Sequence, residues 1–161
     1  MTRAGTCVNF ANGMRMVEVV FLDTNILTAT IDPKDRHHER TVKLMQSVAR
    51  QPLLLSPPVY AEVSVGMGSE AVLAFLEEWR IRPSFAAMDT PALWELAAER
   101  FASYRANRKR SGGDAPRRIL TDFLIGAHAV LAPGTGYAAT LATLDRDFFT
   151  QYFPELKVLV P

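Results

Sequence analysis

The chain has 161 residues, 48% of them hydrophobic and 22% charged, with a formal net charge of +1. This length suits one domain with a sizeable core, and the balance excludes a disordered chain and any globally basic field for nucleic acid. The single cysteine, Cys7, excludes an intramolecular disulfide framework and a multi-cysteine zinc site, so a reducing, cytoplasmic setting is expected.

No stretch approaches the roughly 20 apolar residues of a membrane span, so no membrane association is expected. Met1–Gly13 lacks the apolar core of a signal peptide and shows no helix or strand period. With Met14 and Met16 following, 1–13 reads as an ill-ordered extension or an upstream start, with a genuine N-terminal arm as the alternative, leaving Met14–Pro161 as the folded domain. "VEVVFL" (Val17–Leu22) is nearly continuous apolar and β-branched, the pattern of a strand buried on both faces. A helix is predicted over His38–Arg50 and a short strand at Leu53–Leu55, closed by "SPP". Pro58 opens a helix that ends at Gly66 or Gly68, and Ser69 caps another running to Arg80. "IRPSFAAM" is a strand that Pro83 confines to an edge or an irregular position.

Thr90 and Pro91 start a long helix to Arg110, with Leu93, Leu96, Ala97, Phe101 and Tyr104 as its buried stripe. "SGGDAP" is a loop. The next helix, "LTDFLIGAHAVLA", places Leu120, Phe123, Leu124, Ala127 and Leu131 on one side. "PGTG" turns into a strand over Tyr137–Thr143, followed by a short helix at Arg146–Tyr152 and a strand at Lys157–Val160. Strands alternating with helices, without repeats or a linker, predict a single α/β domain with a central, mostly parallel sheet flanked by helices.

Ligands of an open α/β sheet bind beyond the carboxyl ends of its strands, near a switch in strand order. Asp23 follows the first strand directly, and Asp145 stands two residues after Thr143. Glu62 lies one turn into the Pro58 helix. Asp122 opens a later helix in which Gly126, one turn on, would leave room beside the carboxylate. Each acid alone has a local alternative: an Asx-turn for Asp23, a helix start for Asp122, a cap for Asp145, plain surface for Glu62. Together they can reach one crevice. Two carboxylates about 5 Å apart repel by roughly 3 kcal/mol at an effective dielectric of 20, so convergence demands protons or a cation. All-oxygen ligands favour Mg2+ or Mn2+, and such a site suits phosphodiester hydrolysis.

The ordered set "FLDTNIL", "YAEV", "ILTDFLIGAHA" and "ATLDRDF" resembles the PIN-domain ribonucleases, most closely VapC-type toxins of type II toxin–antitoxin pairs. The resemblance runs from Val17 to the C-terminus. It implies a PIN-like fold, a Mg2+- or Mn2+-dependent endoribonuclease, an RNA substrate, a cognate antitoxin and a homodimer. Carried over by motif, Asp23, Glu62, Asp122 and Asp145 become the metal-site and catalytic acids, with Asn25 and Thr143 orienting them. Asp147 is a further acid near the fourth position and reads as surface. Two other functions stand beside this one. An acidic-site phosphatase or phospho-acceptor commonly carries Asp-x-Asp, where this chain has "DTN". A non-catalytic binding module would use its carboxylates only as caps.

Arg105, Arg108, Lys109, Arg110, Arg117 and Arg118 form a basic cluster just before the Asp122 helix. Arg108, Lys109, Arg110, Arg117 and Arg118 are candidate RNA contacts; the alternative is a solvated helix end. His37 and His38 read as surface, and His128 as helix packing or polar rim. Trp79 and Trp94 read as core or interface.

Overall fold

The apolar run at Val17–Leu22 lies in the middle of a parallel sheet. The computed structural model describes residues 7–9, 15–112, 118–132 and 137–161. In chain order the elements are β1 (Cys7–Asn9), β2 (Arg15–Leu22), α1 (Thr24–Ile31), α2 (His38–Val48), β3 (Leu53–Leu55), α3 (Pro57–Met67), α4 (Ser69–Trp79) and β4 (Ile81–Pro83). They continue as α5 (Pro91–Arg110), α6 (Leu120–Leu131), β5 (Tyr137–Ala142), α7 (Arg146–Tyr152) and β6 (Lys157–Leu159).

Five strands are mutually parallel in the order β4-β3-β2-β5-β6. β1 joins β2 antiparallel, with Cys7 opposite Val17. The α/β class and the mostly parallel sheet agree with the sequence reading. Val19, Val20, Phe21 and Leu22 are buried, as a strand with neighbours on both edges and helices on both faces requires. β4 is a sheet edge, where Pro83 can lack an N–H without orphaning a partner. From β2 the chain winds out to β3 and β4, then returns to the other side of β2 for β5 and β6. The strand order therefore switches between β2 and β5. That crevice is the position such sheets offer to a ligand.

Helix α6 packs against α5, α3 and β5, and is buried from Phe123 to Ala129. Phe123 is the hub of an aromatic cluster: its ring lies 5.2 Å from Phe101 and Phe148, 5.6 Å from Tyr104 and 5.8 Å from Tyr152. This cluster ties α5, α6 and α7 together beneath the loop ends that carry the acids.

Several local expectations are corrected. Thr24–Ile31 forms a helix that the sequence reading did not assign. Ser69 is the first residue of α4 rather than its cap; Gly68, at φ +83°, takes the cap position. Thr90 does stand at the cap of α5, but its hydroxyl donates to the Ala87 carbonyl at 2.6 Å instead of capping. Leu120 is exposed, because the first turn of α6 projects beyond the core. A Cβ on Gly126 would come within 2.4 Å of the buried Phe153 ring, so this glycine makes room for core packing and not for a carboxylate. Most of Met1–Gly13, the 113–117 part of the glycine-rich loop with Arg117, and the "PGTG" turn lie outside the described residues.

Candidate functional site

The site is built on the carboxyl ends of the two central strands. Asp23 directly follows β2 and Thr143 directly follows β5, and the Asp23 backbone N–H donates to the Ala142 carbonyl at 3.0 Å, which locks the two ends side by side. The buried Thr143 hydroxyl donates to Asp23 Oδ2 at 2.6 Å and accepts from the Asp145 backbone N–H at 3.0 Å. Asn25 completes the frame. Its Nδ2 donates to Asp23 Oδ2 at 2.6 Å and to Thr143 Oγ1 at 3.2 Å, while its Oδ1 accepts from the Leu144 N–H at 2.9 Å. Asn25 and Thr143 thus fix the Asp23 carboxylate and the backbone that carries Asp145.

Glu62 arrives from α3, which starts at Pro57, with only Ser56 between it and the end of β3. Its Oε2 accepts from the Thr24 hydroxyl at 2.5 Å, which brings it to the residue next to Asp23. Asp122, in the first turn of α6, accepts from the Ile119 N–H through Oδ2 at 3.1 Å. This is half of a capping box, since Ile119 has no side-chain acceptor to return it. Arg118 bridges the remaining two acids: its guanidinium pairs with Asp145 and lies 3.8 Å from Asp122 Oδ1.

Burial pushes the Asp23 carboxyl up to about 6; the nearby charges of Asp122 and Glu62 add to this, while the Thr143 hydroxyl and the Thr24 N–H oppose it. The rise is chiefly the mark of a carboxylate taken out of water, with the two neighbouring acids a smaller contribution. The donor chemistry, carboxylates with hydroxyls and no soft ligand, fits a hard divalent cation. Among the described residues, no three of the acids stand close enough together to hold one ion.

The local structural roles are partly real. Asp23 caps α1 through the Thr24 N–H at 2.8 Å, and Asp122 reaches back to its helix start. Asp145 stands at the cap position of α7 but makes no side-chain cap bond, which leaves its carboxylate to Arg118. Glu62 is exposed, and so is Asp147.

Of the basic cluster, Arg105, Lys109 and Arg110 are exposed and Arg108 is half-buried at the end of α5. His37 and His38 are half-buried, and His38 Nδ1 donates to the Ala29 carbonyl at 3.0 Å. His128 is fully buried, 2.9 Å from the Ser56 hydroxyl through Nδ1 and edge-on to Phe21 at 4.9 Å. Burial holds its imidazole below the usual range, so it packs as a neutral ring. Trp79 packs against the core and Trp94 is half exposed, its Nε1 donating to the Met88 carbonyl at 3.0 Å.

Two contributors escaped sequence reading. Thr24 carried a signal, since a hydroxyl directly after a strand-end aspartate faces whatever that aspartate faces. Arg118 was read only as part of a basic rim, although its spacing of four from Asp122 marks a possible pair.

The PIN domain family model matches residues 20–153. No curated protein matches the chain. A chain of VapBC2 from Rickettsia felis, in a crystal structure bound to a DNA fragment from their promoter, is similar in fold with a TM-score of 0.54 and 20% identity. The match covers 88% of this chain and 98% of that one. A chain of FitAcB from Neisseria gonorrhoeae is similar with a TM-score of 0.51 and 24% identity, over 87% of this chain and 96% of that one. A chain of FitAB bound to IR36 DNA fragment gives the same score and identity over 88% and 94%.

Proposed function

Because the chain belongs to the PIN domain family, whose members are generally nucleases, we propose that it is a Mg2+- or Mn2+-dependent endoribonuclease acting as the toxin of a toxin–antitoxin pair. The observation that supports the reading most is that one buried hydroxyl, Thr143 at the β2–β5 switch, bonds both the Asp23 carboxylate and the Asp145 backbone, with the charges of Asp122 and Glu62 felt at Asp23.

Asp23, Glu62, Asp122 and Asp145 would hold the ion, which supplies Lewis acidity that activates water and stabilises charge developing on the scissile phosphate. The protein's part is pre-organisation. Asn25 and Thr143 direct three of their hydrogen bonds at the Asp23 carboxylate and the Asp145 backbone, so these acids keep their places while charge changes beside them. Above a pH of about 6 Asp23 is mostly ionised and available as a ligand. Arg108, Lys109 and Arg110, with Arg117 and Arg118, would follow the RNA backbone. This reading is favoured over a phospho-acceptor because the position two after Asp23 is Asn25, which is committed to hydrogen bonds inside the site.

An antitoxin and a second copy of the chain are the proposed protein partners. Exposed Val65 on α3 and Leu73 on α4 offer apolar surface for such contacts. No described helix is long and apolar enough to cross a membrane. The proposed nuclease domain runs over Met14–Pro161, and Cys7–Asn9 pairs antiparallel with β2.

The test is cleavage of a panel of labelled RNAs by the purified protein in Mg2+, Mn2+ or EDTA. Internal cuts that need the metal are expected. Absence of cutting in either metal, with the protein folded and free of partner, would remove the nuclease reading.

A further inference from the structure

Arg118 stands out because it is a cation placed between two of the four acids of the candidate site. Its guanidinium pairs with Asp145, lies 3.8 Å from Asp122 and sits 4.6 Å from the centre of the buried Phe148 ring. Its backbone N–H donates to the Tyr104 hydroxyl at 3.2 Å. A surface arginine with free choice of partner would not need all of these. The aromatic face below and the tyrosine behind define a seat, and the seat directs a planar, permanently charged group between two acids that belong to different elements. Asp23 and Glu62, by contrast, have no cationic partner within ion-pair distance among the described residues; they are held by Thr24, Asn25 and Thr143.

We propose that Arg118 is the resident counter-cation of this site, holding Asp122 and Asp145 in the metal-free protein and competing with the divalent ion for them. The inference rests on the reading of the acids as a metal site. It extends that reading by making metal entry an exchange of one cation for another. Two consequences follow from the exchange. Arg118 lowers the metal affinity of the free protein, because the ion must displace it. It also stabilises the metal-free fold, because without it two carboxylates would face each other unneutralised. Arg118 is therefore a positioning residue that sets the affinity of the site.

The experiment compares Mn2+ binding, by calorimetry or by electron paramagnetic resonance of the free ion, in wild type, Arg118→Gln and Arg118→Lys without RNA, with melting temperatures in EDTA and in saturating Mn2+. Arg118→Gln is expected to bind Mn2+ about two- to fivefold more tightly, the size of a partly exposed ion pair. It should melt below wild type in EDTA and close that gap in Mn2+. Arg118→Lys keeps a charge but cannot lie flat on Phe148 between both acids, so its affinity should fall between the two; it serves if the glutamine variant does not fold. A purely structural arginine would lower both melting temperatures and leave Mn2+ affinity unchanged. Unchanged or weaker Mn2+ binding in both variants overturns the proposal alone, provided wild type binds Mn2+ through the acids. If wild type shows no Mn2+ binding that the acid-to-amide variants abolish, the metal-site reading fails and takes this inference with it.

Discussion

Replacing Thr143 by valine keeps the shape of a buried side chain and removes one hydroxyl, so its effects can be worked out from three bonds. The hydroxyl donates to Asp23 Oδ2 at 2.6 Å, accepts from the Asp145 N–H at 3.0 Å and accepts from Asn25 Nδ2 at 3.2 Å. A hydrogen bond to a charged group contributes roughly 1.5–3 kcal/mol, and an N–H left without its acceptor costs about 1 kcal/mol or more. A loss of about 2–4 kcal/mol is expected at pH 7.5 in EDTA, or a fall of roughly 5–15 °C in Tm for a chain of this size. The pH dependence gives a sharper check. Asp23 has a folded pKa of about 6 against an ordinary 3.8, so folding favours its protonated form. Its contribution to metal-free stability is complete below about pH 4 and lost as pH rises through about 6, a difference of about 3 kcal/mol. The Thr143 hydroxyl supports the ionised carboxylate, so its removal must raise the Asp23 pKa further and do more damage at pH 7.5 than at pH 4.5. Thr143→Ser retains the hydroxyl and should lose only about 1 kcal/mol at both pH values. The assay is thermal or urea unfolding of wild type and both variants in EDTA across that range. Valine and serine variants of equal stability at both pH values would refute this account of the frame.

Gly126→Ala should destabilise the fold by about 1–3 kcal/mol or more in urea unfolding, because the added methyl meets the buried Phe153 ring and not an open site. Neutralising Arg108, Lys109 and Arg110 together should weaken RNA binding and flatten the slope of log affinity against log salt; an unchanged slope would return them to a solvated helix end. Deleting Met1–Gly13 removes β1 from the margin of β2 and should lower Tm by only a few degrees with Mn2+ affinity intact, since the buried run starts at Val19.

What was legible in the sequence was what periodicity and strand ends encode. β2 announces itself by an unbroken apolar run, β3 by the "SPP" that closes it, and the sheet class by alternation of strands with helices. The acids at strand ends and helix starts were visible for the same reason: their positions follow from local pattern. What stayed hidden depends on contacts across the chain. Gly126 looks like space for a carboxylate until Phe153, which is 27 residues away in sequence, is seen to fill it. Arg118 looks like one of six basic residues until the order of strands brings Asp145 beside it. Helix α1 was missed because "TNILTATI" is rich in β-branched residues, and the cap supplied by Asp23 together with burial of Ile26, Leu27, Ala29 and Thr30 outweighs that preference.

The central claim is that four carboxylates act as one metal-binding unit that cuts RNA. The most direct test is the rate of RNA cleavage against Mn2+ concentration for wild type and for Asp23→Asn, Glu62→Gln, Asp122→Asn and Asp145→Asn. Amide replacement keeps nearly the same volume while removing an anionic ligand, so each variant should remain folded yet need far more Mn2+ and cut at least about 100-fold more slowly. Variants that melt early but cut RNA at the wild-type Mn2+ requirement would contradict the claim and leave these acids as caps and turn residues.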